Sequence, residues 1–110
     1  MLTPSSLPPG ERELYSKLRQ VLGRPGILRG NLVVTRPTCG KASCRCRRRR
    51  PKGHRALYLG VSVDGKHRMI YVPAAWEERV REWVGRYAHV RGLLEHLSRA
   101  CLKRLKSREE

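Results

Sequence analysis

Three cysteines and a histidine lie close together in the stretch TCGKASCRCRRRRPKGH, residues 38–54. Cys39, Cys44 and Cys46 form a C-x4-C-x-C run, and His54 follows a block of arginines. Thiolate sulfurs and an imidazole nitrogen are common ligands of tetrahedral Zn²⁺ in structural sites. The glycines and the proline of the stretch permit the tight turns that would bring these ligands together. The pattern therefore predicts a structural zinc site in a small knuckle at residues 38–54.

Several alternatives remain open for these side chains. Cys101 competes with His54 as the fourth ligand, although a position on a helix also suits ordinary packing. An iron–sulfur cluster and free thiols without metal are further possibilities. A disulfide between the near neighbours Cys44 and Cys46 would be strained, and clustered cysteines in a reducing compartment more often bind metal. Because the spacing differs from the paired C-x2-C pattern of common zinc fingers, it indicates zinc less specifically.

The charge of the chain points to a polyanionic partner. It carries 25 Lys and Arg against nine Asp and Glu, a formal net charge of +16, and every charged side chain from Arg36 to Arg55 is basic. Such a surface favours nucleic acid. The predicted phosphate contacts are Lys41, Arg45, Arg47, Arg48, Arg49, Arg50, Lys52 and Arg55. Phosphate contacts carry no sequence information, so both DNA and RNA remain open. Cations beside the cysteines would also favour the thiolates that a metal requires.

The elements before the knuckle predict a short helix and an edge strand. Residues 1–10 are rich in proline and serine and are expected to form a flexible lead-in. A helix is predicted over residues 11–22, because its leucines and valine recur on one face. The β-branched stretch 31–35, NLVVT, predicts an edge strand that leads into the knuckle.

After the knuckle, two apolar stretches flank Asp64-Gly65, which is typical of a tight hairpin turn. With the edge strand, this hairpin predicts a three-stranded antiparallel sheet over residues 31–72. If Val63 pairs with Lys66, one face is aliphatic and carries Leu57, Leu59, Val61, Ile70 and Val72. The other, here called the tyrosine face, carries Tyr58, His67, Met69 and Tyr71. We expect the aliphatic face to pack on a helix and the tyrosines to be half-buried, with base stacking as the alternative.

A long helix is predicted over residues 74–106, with a short tail at 107–110. Apolar side chains recur along it with heptad spacing, at Trp76, Val80, Trp83, Tyr87, Val90, Leu94, Leu97 and Cys101. A helix of roughly 45–50 Å is longer than a small domain covers alone, at 1.5 Å per residue. The sequence therefore predicts an α+β fold with one domain over residues 11–106, and a homodimer through this helix.

The order CGKASCRC, H-x-x-LYL, YVP and a helix containing EWVGRYAHVRGLLEHL resembles a family of short bacterial and archaeal proteins. That family carries CGK-x-x-C-x-C, HGPYYYL and YVP, and its members often lie near mobile elements. The likeness covers most of residues 39–98, and His54-Arg55-Ala56 stands here where the family has His-Gly-Pro. The matching positions are Cys39, Gly40, Lys41, Cys44, Cys46, His54, Tyr58, Tyr71, Val72, Pro73 and Trp83. The resemblance implies a small cytoplasmic protein and no particular activity.

These observations favour a small zinc-stabilised protein that binds DNA or RNA through phosphates. No stretch reaches the length of a membrane span, and no secretory signal is recognisable, so we expect a cytoplasmic protein. The histidines belong to no acid–base constellation, and a cysteine-rich zinc site is usually closed, so catalysis is not expected. The alternative is a dimeric protein–protein adaptor with a structural metal site, in which the charge serves only solubility.

Overall fold

The structure, a computed structural model, describes residues 7–48 and 52–108. Its main elements are α1 (Pro9–Leu22), β1 (Asn31–Thr35), β2 (Ala56–Val63), β3 (Lys66–Val72) and α2 (Glu77–Ser107). Single turns of 3-10 helix lie at Arg45–Arg47 and Ala74–Trp76. The predicted α+β class is confirmed. Within the described ranges, none of the helices combines the length and the apolar character that a bilayer span requires.

The three strands form an antiparallel sheet in the order β1-β2-β3. Val63 pairs with Lys66, as the sequence predicted, and Tyr58 therefore lies opposite Tyr71. The turn between them places Asp64 at φ 52° and Gly65 at φ 77°. Two consecutive positive φ angles match the twist of the flanking strands, which is why Asp-Gly is favoured in this kind of hairpin.

One compact unit spans residues 28–84. The aliphatic face of its sheet supplies Leu57, Leu59, Val61 and Val72 to a core that Val80 of α2 completes, and Leu28, Leu32, Trp83 and Val84 pack against this group. The sheet-to-helix packing predicted from the alternation of apolar residues is thus present. It does not extend to the whole face, because Ile70 on the edge strand β3 is 49% exposed.

A second compact unit comprises residues 1–27 and 85–110, and its described part contains α1 and most of α2. Helix α1 begins at Pro9, slightly earlier than predicted, because proline is well suited to a first helical turn. Glu11 is buried and forms an ion pair with Arg104 at 2.9 Å. Arg86 donates to the carbonyl of Gly26 at 3.0 Å.

The heptad positions of α2 are not equally covered in the described chain. Val80 and Leu97 are buried, but Leu94 is 52% exposed and Cys101 is also exposed. Leu93, which lies outside the heptad positions, is buried instead. The homodimer through α2 and the single domain over residues 11–106 stay predictions.

Candidate metal centre

The sheet brings the two arms of the knuckle together. Residues 36–55 connect β1 to β2, and this connection is closed by the pairing of Thr35 with Ala56. Just beyond that pair, the His54 amide donates to the Pro37 carbonyl at 2.9 Å. Antiparallel pairing therefore carries His54 back toward the start of the knuckle, where Cys39 lies only two residues after Pro37.

The four predicted ligands converge on one point. Cys39, Cys44, Cys46 and His54 each offer one ligand atom, and these atoms all lie within 4.8 Å of one another. The Sγ atoms of Cys39 and Cys46 are 3.6 Å apart, and Sγ of Cys44 is 3.5 Å from Nε2 of His54. With metal–ligand bonds of about 2.3 Å to sulfur and 2.0–2.1 Å to nitrogen, a tetrahedral zinc site has edges of about 3.8 and 3.5 Å. The two measured edges fit such a site.

Local turns place the cysteines on one side of the knuckle. The Cys44 amide donates to the Lys41 carbonyl at 3.1 Å, and the Arg47 amide donates to the Cys44 carbonyl at 3.3 Å. These bonds form the turn and the 3-10 helix on which Cys44 and Cys46 lie. Cys46 is completely buried, and its Sγ accepts a hydrogen bond from the Cys39 amide at 3.4 Å. An amide aimed at a sulfur is a favourable partner for a thiolate.

Gly53 is required by the close approach of the two arms. It is buried at φ 83°, a left-handed conformation that side chains with a Cβ rarely adopt. A Cβ at this position would also overlap with the backbone carbonyl of Arg36. The Gly53 amide donates to the Cys46 carbonyl at 2.5 Å. Gly53 therefore lets the chain pass closely enough for the next residue, His54, to reach the cysteines.

The thiols differ in acidity. The backbone hydrogen bond of Cys46, together with side-chain hydrogen bonds to Cys39, Cys46 and His54, lowers the pKa of Cys44 to about 6. The hydrogen bond of Cys39 with the Lys41 backbone lowers the pKa of Cys39. The hydrogen bond with Cys44, burial and the hydrogen bond with Cys46 raise this pKa by more, so the pKa of Cys39 is raised overall. Such a split is expected when neighbouring thiols share protons, since the first thiolate makes the next harder to form. Cys44 is thus the ligand that is most readily available as a thiolate.

The predicted alternatives for the fourth ligand can now be compared. Among the described residues, the cluster contains His54 and not Cys101. Cys101 lies on α2, where its Sγ accepts a hydrogen bond from Arg104 at 3.5 Å. All four cysteines are free thiols, so the cluster is not a pair of disulfides. The residues that could hold a metal ion are therefore three cysteines and one histidine.

Two of the predicted phosphate contacts make bonds within the protein. Arg47 donates through Nη2 to the Cys39 carbonyl at 3.0 Å and through Nε to the Lys41 carbonyl at 3.3 Å. Arg55 forms a two-pronged ion pair with Glu77 at 2.8 and 3.2 Å, and Arg81 adds a contact to the same carboxylate at 3.3 Å. Arg47 therefore braces the knuckle, and Arg55 links its end to the start of α2.

The remaining predicted contacts divide into two groups. Lys41, Arg45, Arg48 and Lys52 are exposed on the knuckle. Arg49 and Arg50 lie outside the described residues. The glycines of the knuckle were expected to form tight turns, but neither the close approach of Gly53 to Arg36 nor the ion pair of Glu77 with Arg55 was predicted from the sequence. An acidic residue near the start of a helix, such as Glu77, by itself indicates only a favourable interaction with the helix dipole.

Comparison with known proteins identifies a family. Residues 11–82 match a family described as a domain of unknown function, DUF6788. The matched region includes the whole knuckle, the sheet and the first residues of α2. No curated protein and no solved structure matches the chain.

Proposed function

The chain belongs to the DUF6788 family, and from this premise we propose that it is a small, non-catalytic protein that binds nucleic acid through a zinc-stabilised knuckle. Because the family description assigns no activity, the proposal rests on the residues of this chain. Its support comes from the ligand cluster, from the exposed cations on the same loop and from the charge of the whole chain.

Zinc is the metal that the donor set favours. Three thiolates and one imidazole are soft and intermediate donors, which suit Zn²⁺ far better than Mg²⁺ or Ca²⁺. All four ligand positions of a tetrahedral ion would be filled by protein, and closed sites of this kind are structural. Three thiolates around Zn²⁺ leave an excess negative charge, which nearby Lys and Arg side chains offset. We therefore assign the metal a role in shaping the knuckle and none in chemistry.

The observation that carries the nucleic-acid proposal is the group of exposed cations on this loop. Lys41, Arg45, Arg48 and Lys52 lie within a few residues of the metal ligands. From Tyr15 to Trp76 the sequence contains one acidic residue, Asp64, in the hairpin turn. A loop whose backbone is fixed by a metal loses less conformational entropy when its side chains meet phosphates. Such a surface is complementary to a nucleic-acid backbone.

Metal content is the first test. Protein should be purified without an affinity tag from medium that contains both zinc and iron. Elemental mass spectrometry should then find one zinc ion per chain. Replacement by Co²⁺ should give the absorption spectrum of a tetrahedral thiolate site. A folded protein without metal, or a site filled by iron and inorganic sulfide, would contradict the zinc assignment.

Binding to nucleic acid is the second test. A variant with Lys41, Arg45, Arg48 and Lys52 replaced by Gln should bind DNA and RNA duplexes more weakly. If all four contact phosphate, the slope of log affinity against log salt should fall by about 3 to 4, at about 0.9 per phosphate contact. The matched control replaces four cations outside the knuckle, Arg12, Arg19, Lys103 and Lys106, and changes the net charge equally. Equal losses in the two variants would contradict a knuckle-centred site.

A dimeric adaptor is the second candidate, because α2 exposes several leucines. Leu94, Leu102 and Leu105 are 52, 50 and 62% exposed. A self-association surface would explain them, since a two-fold dimer buries the same face of both copies. Sedimentation of the native chain and of a Leu94→Gln, Leu102→Gln variant tests this candidate. A monomeric native chain over the micromolar range would remove it.

A further inference from the structure

In the sheet of the 28–84 unit, the core covers the aliphatic face along most of the central strand β2 and at the end of β3, and the tyrosine face carries several exposed side chains. On the aliphatic face, Leu57 is 2% and Leu59 is 5% exposed. On the tyrosine face, Tyr71 is 57% and Met69 is 47% exposed, and His67 is exposed as well. Val33 of β1 lies opposite Tyr58, so it shares this face, and it is 39% exposed. An aromatic and apolar surface on an otherwise highly charged protein requires an explanation.

The aromatic part of this face is held in place. Tyr58 and Tyr71 are cross-strand neighbours, and their rings meet edge to face with centroids 5.7 Å apart and an angle of 67°. Tyr58 is half-buried and Tyr71 is exposed. The contact fixes the orientation of the Tyr71 ring while leaving most of its surface available. A ring that is already ordered loses little entropy when a second flat group stacks on it.

Gly60 adds no side chain of its own to the tyrosine face. It lies between the two tyrosine-bearing positions and the end of the hairpin, and it pairs with Met69. A Cβ at Gly60 would meet Sδ of Met69 at 3.3 Å and Cε1 of His67 at 3.4 Å. These two side chains therefore lean over the bare backbone of β2. The result is a shallow surface of flat and polarisable groups, of the kind on which bases stack without sequence preference.

The knuckle joins the sheet close to this surface. Tyr58 lies two residues after Ala56, the residue that closes the knuckle at the sheet, and two strand residues span about 7 Å. The knuckle and the tyrosine face belong to the same compact unit. A nucleic-acid strand that reaches the tyrosines would thus also reach the end of the knuckle. Residues 31–63 contain many cations and no acidic side chain, and the nearby Glu77 of α2 is paired with Arg55.

We infer that the tyrosine face and the knuckle together form a binding site for single-stranded nucleic acid, with bases stacked on Tyr71 and phosphates held by the knuckle. The inference rests on the proposed function and deepens it. Bases inside a duplex are covered by their neighbours and cannot reach an exposed ring, whereas unpaired bases can. Strands β2 and β3, which carry the rings, contain no acidic side chain, and this favours a polyanion over an acidic or neutral peptide as the occupant.

The test compares single-stranded and duplex probes by fluorescence anisotropy with the zinc-loaded full chain. The probes are labelled oligodeoxythymidine and oligouridine of about 12 nucleotides, a length within known single-strand site sizes, and a mixed-sequence DNA duplex of the same length. Tyr71→Ala should weaken binding to the single strands by about 5- to 150-fold, because stacking on one aromatic side chain contributes that much. It should leave duplex binding unchanged.

Two matched variants keep the test specific. Tyr71→Phe retains the stacking ring and should retain single-strand affinity. Ile70→Ala removes a comparably exposed apolar side chain from the adjacent position on the opposite face, and it should also leave affinity unchanged. Photocrosslinking of a bromouracil-containing strand should place the adduct on Tyr71 or Tyr58, a readout that a merely structural effect would not give.

The outcomes separate this inference from the proposed function. If the native chain binds single strands and duplexes but Tyr71→Ala alters both equally or neither, the inference is overturned and phosphate binding by the knuckle stands. The inference is likewise overturned if Tyr71→Ala abolishes binding to a protein partner but leaves the affinity for both nucleic-acid probes unchanged. If the native chain binds neither probe at any salt concentration, both the inference and the proposed function are overturned.

Discussion

The knuckle and the sheet–helix core of the same compact unit are stabilised in different ways. In the knuckle, Cys46 is the one fully buried side chain among the described residues, and the remaining contacts are turns, hydrogen bonds and close-lying sulfurs. In the core, Leu57, Leu59 and Val72 are nearly free of solvent and pack on a helix. The knuckle buries too little apolar surface to hold its shape by packing, whereas apolar packing is the main contact within the core.

This difference shows how a short chain can carry a dense positive charge on an ordered loop. Arginines repel one another and gain little from burial, so apolar packing cannot organise them. Bonds to a metal can, because they come from side chains adjacent to the cations and supply much of the folding energy of small zinc domains. The core then provides only the two antiparallel strands on which the knuckle is mounted. The first three of the following experiments each perturb one of the two regions, and the last perturbs the link between them.

The largest effect is expected from Cys46→Ser. It removes a buried ligand from the knuckle, and structural zinc contributes about 10–16 kcal/mol in small zinc domains. The variant should lose zinc on dialysis and lose ordered amide signals for residues 38–48 and 52–54 in NMR spectra, while β2 and β3 keep theirs. Cys101→Ser is the matched control and should retain one zinc. Loss of the hairpin signals together with the knuckle would show that the two regions are not independent.

The second largest effect is expected from a substitution in the core. Leu57→Ala leaves a cavity between the sheet and α2 and should lower the free energy of unfolding by about 2–5 kcal/mol in denaturant titration. Zinc content below the unfolding transition should stay the same. Ile70→Ala, on the same face but half-exposed, should cost much less. If Leu57→Ala released zinc from the folded protein, the proposed separation of the two regions would be wrong.

Gly53→Ala should have the next largest effect, on the knuckle alone. A Cβ would strain the left-handed backbone and overlap with the Arg36 carbonyl, a cost of about 1–3 kcal/mol. Zinc affinity should fall about 10- to 100-fold, measured by competition with a chelator of known affinity. Gly40→Ala is the control, because a Cβ there meets open space. Equal affinities in the two variants would show that this close approach does not shape the site.

The smallest effect concerns the link between the two regions. A hydrogen bond from Arg55, aided by one from Arg81 and opposed by burial, lowers the pKa of Glu77 below its usual value of 4.5. A carboxylate with a depressed folded-state pKa stabilises the fold above its unfolded pKa and loses this contribution as the pH falls through the folded value. Glu77→Gln should therefore destabilise the protein slightly at pH 7, since water screens the pair.

The difference in stability between the native protein and the Glu77→Gln variant should vanish well below pH 4.5. The carboxyl of Glu77 is then protonated and, like the amide of Gln, carries no charge. Metal release in acid affects the two proteins alike and cancels in the comparison. Parallel thermal unfolding from pH 3 to pH 7 provides the measurement, and a gap that is constant with pH would assign Glu77 no electrostatic role.

Much of the fold follows from local patterns. Asp64-Gly65 defines the hairpin because few other dipeptides adopt two positive φ angles, and the register then follows from pairing Val63 with Lys66. The three cysteines of the cluster were also predictable, since they lie within eight residues of one another, whereas the fourth member was left open between His54 and Cys101. The apolar periodicity of α2 was less informative. Leu94 and Leu97 both fit the heptad pattern, yet Leu97 is buried and Leu94 is half-exposed.

The sequence by itself determined which elements form, that three clustered cysteines can bind one metal ion and that the surface is strongly basic, because each depends on residue type and short-range spacing. The tertiary structure decided between His54 and Cys101 as the fourth member of the cluster, and it showed that Arg47 and Arg55 bond within the protein. These outcomes depend on how the folded backbone brings the two arms of the knuckle together and places Arg55 beside Glu77. Spacing along the chain does not encode such distances, whereas strand pairing and the close passage at Gly53 set them.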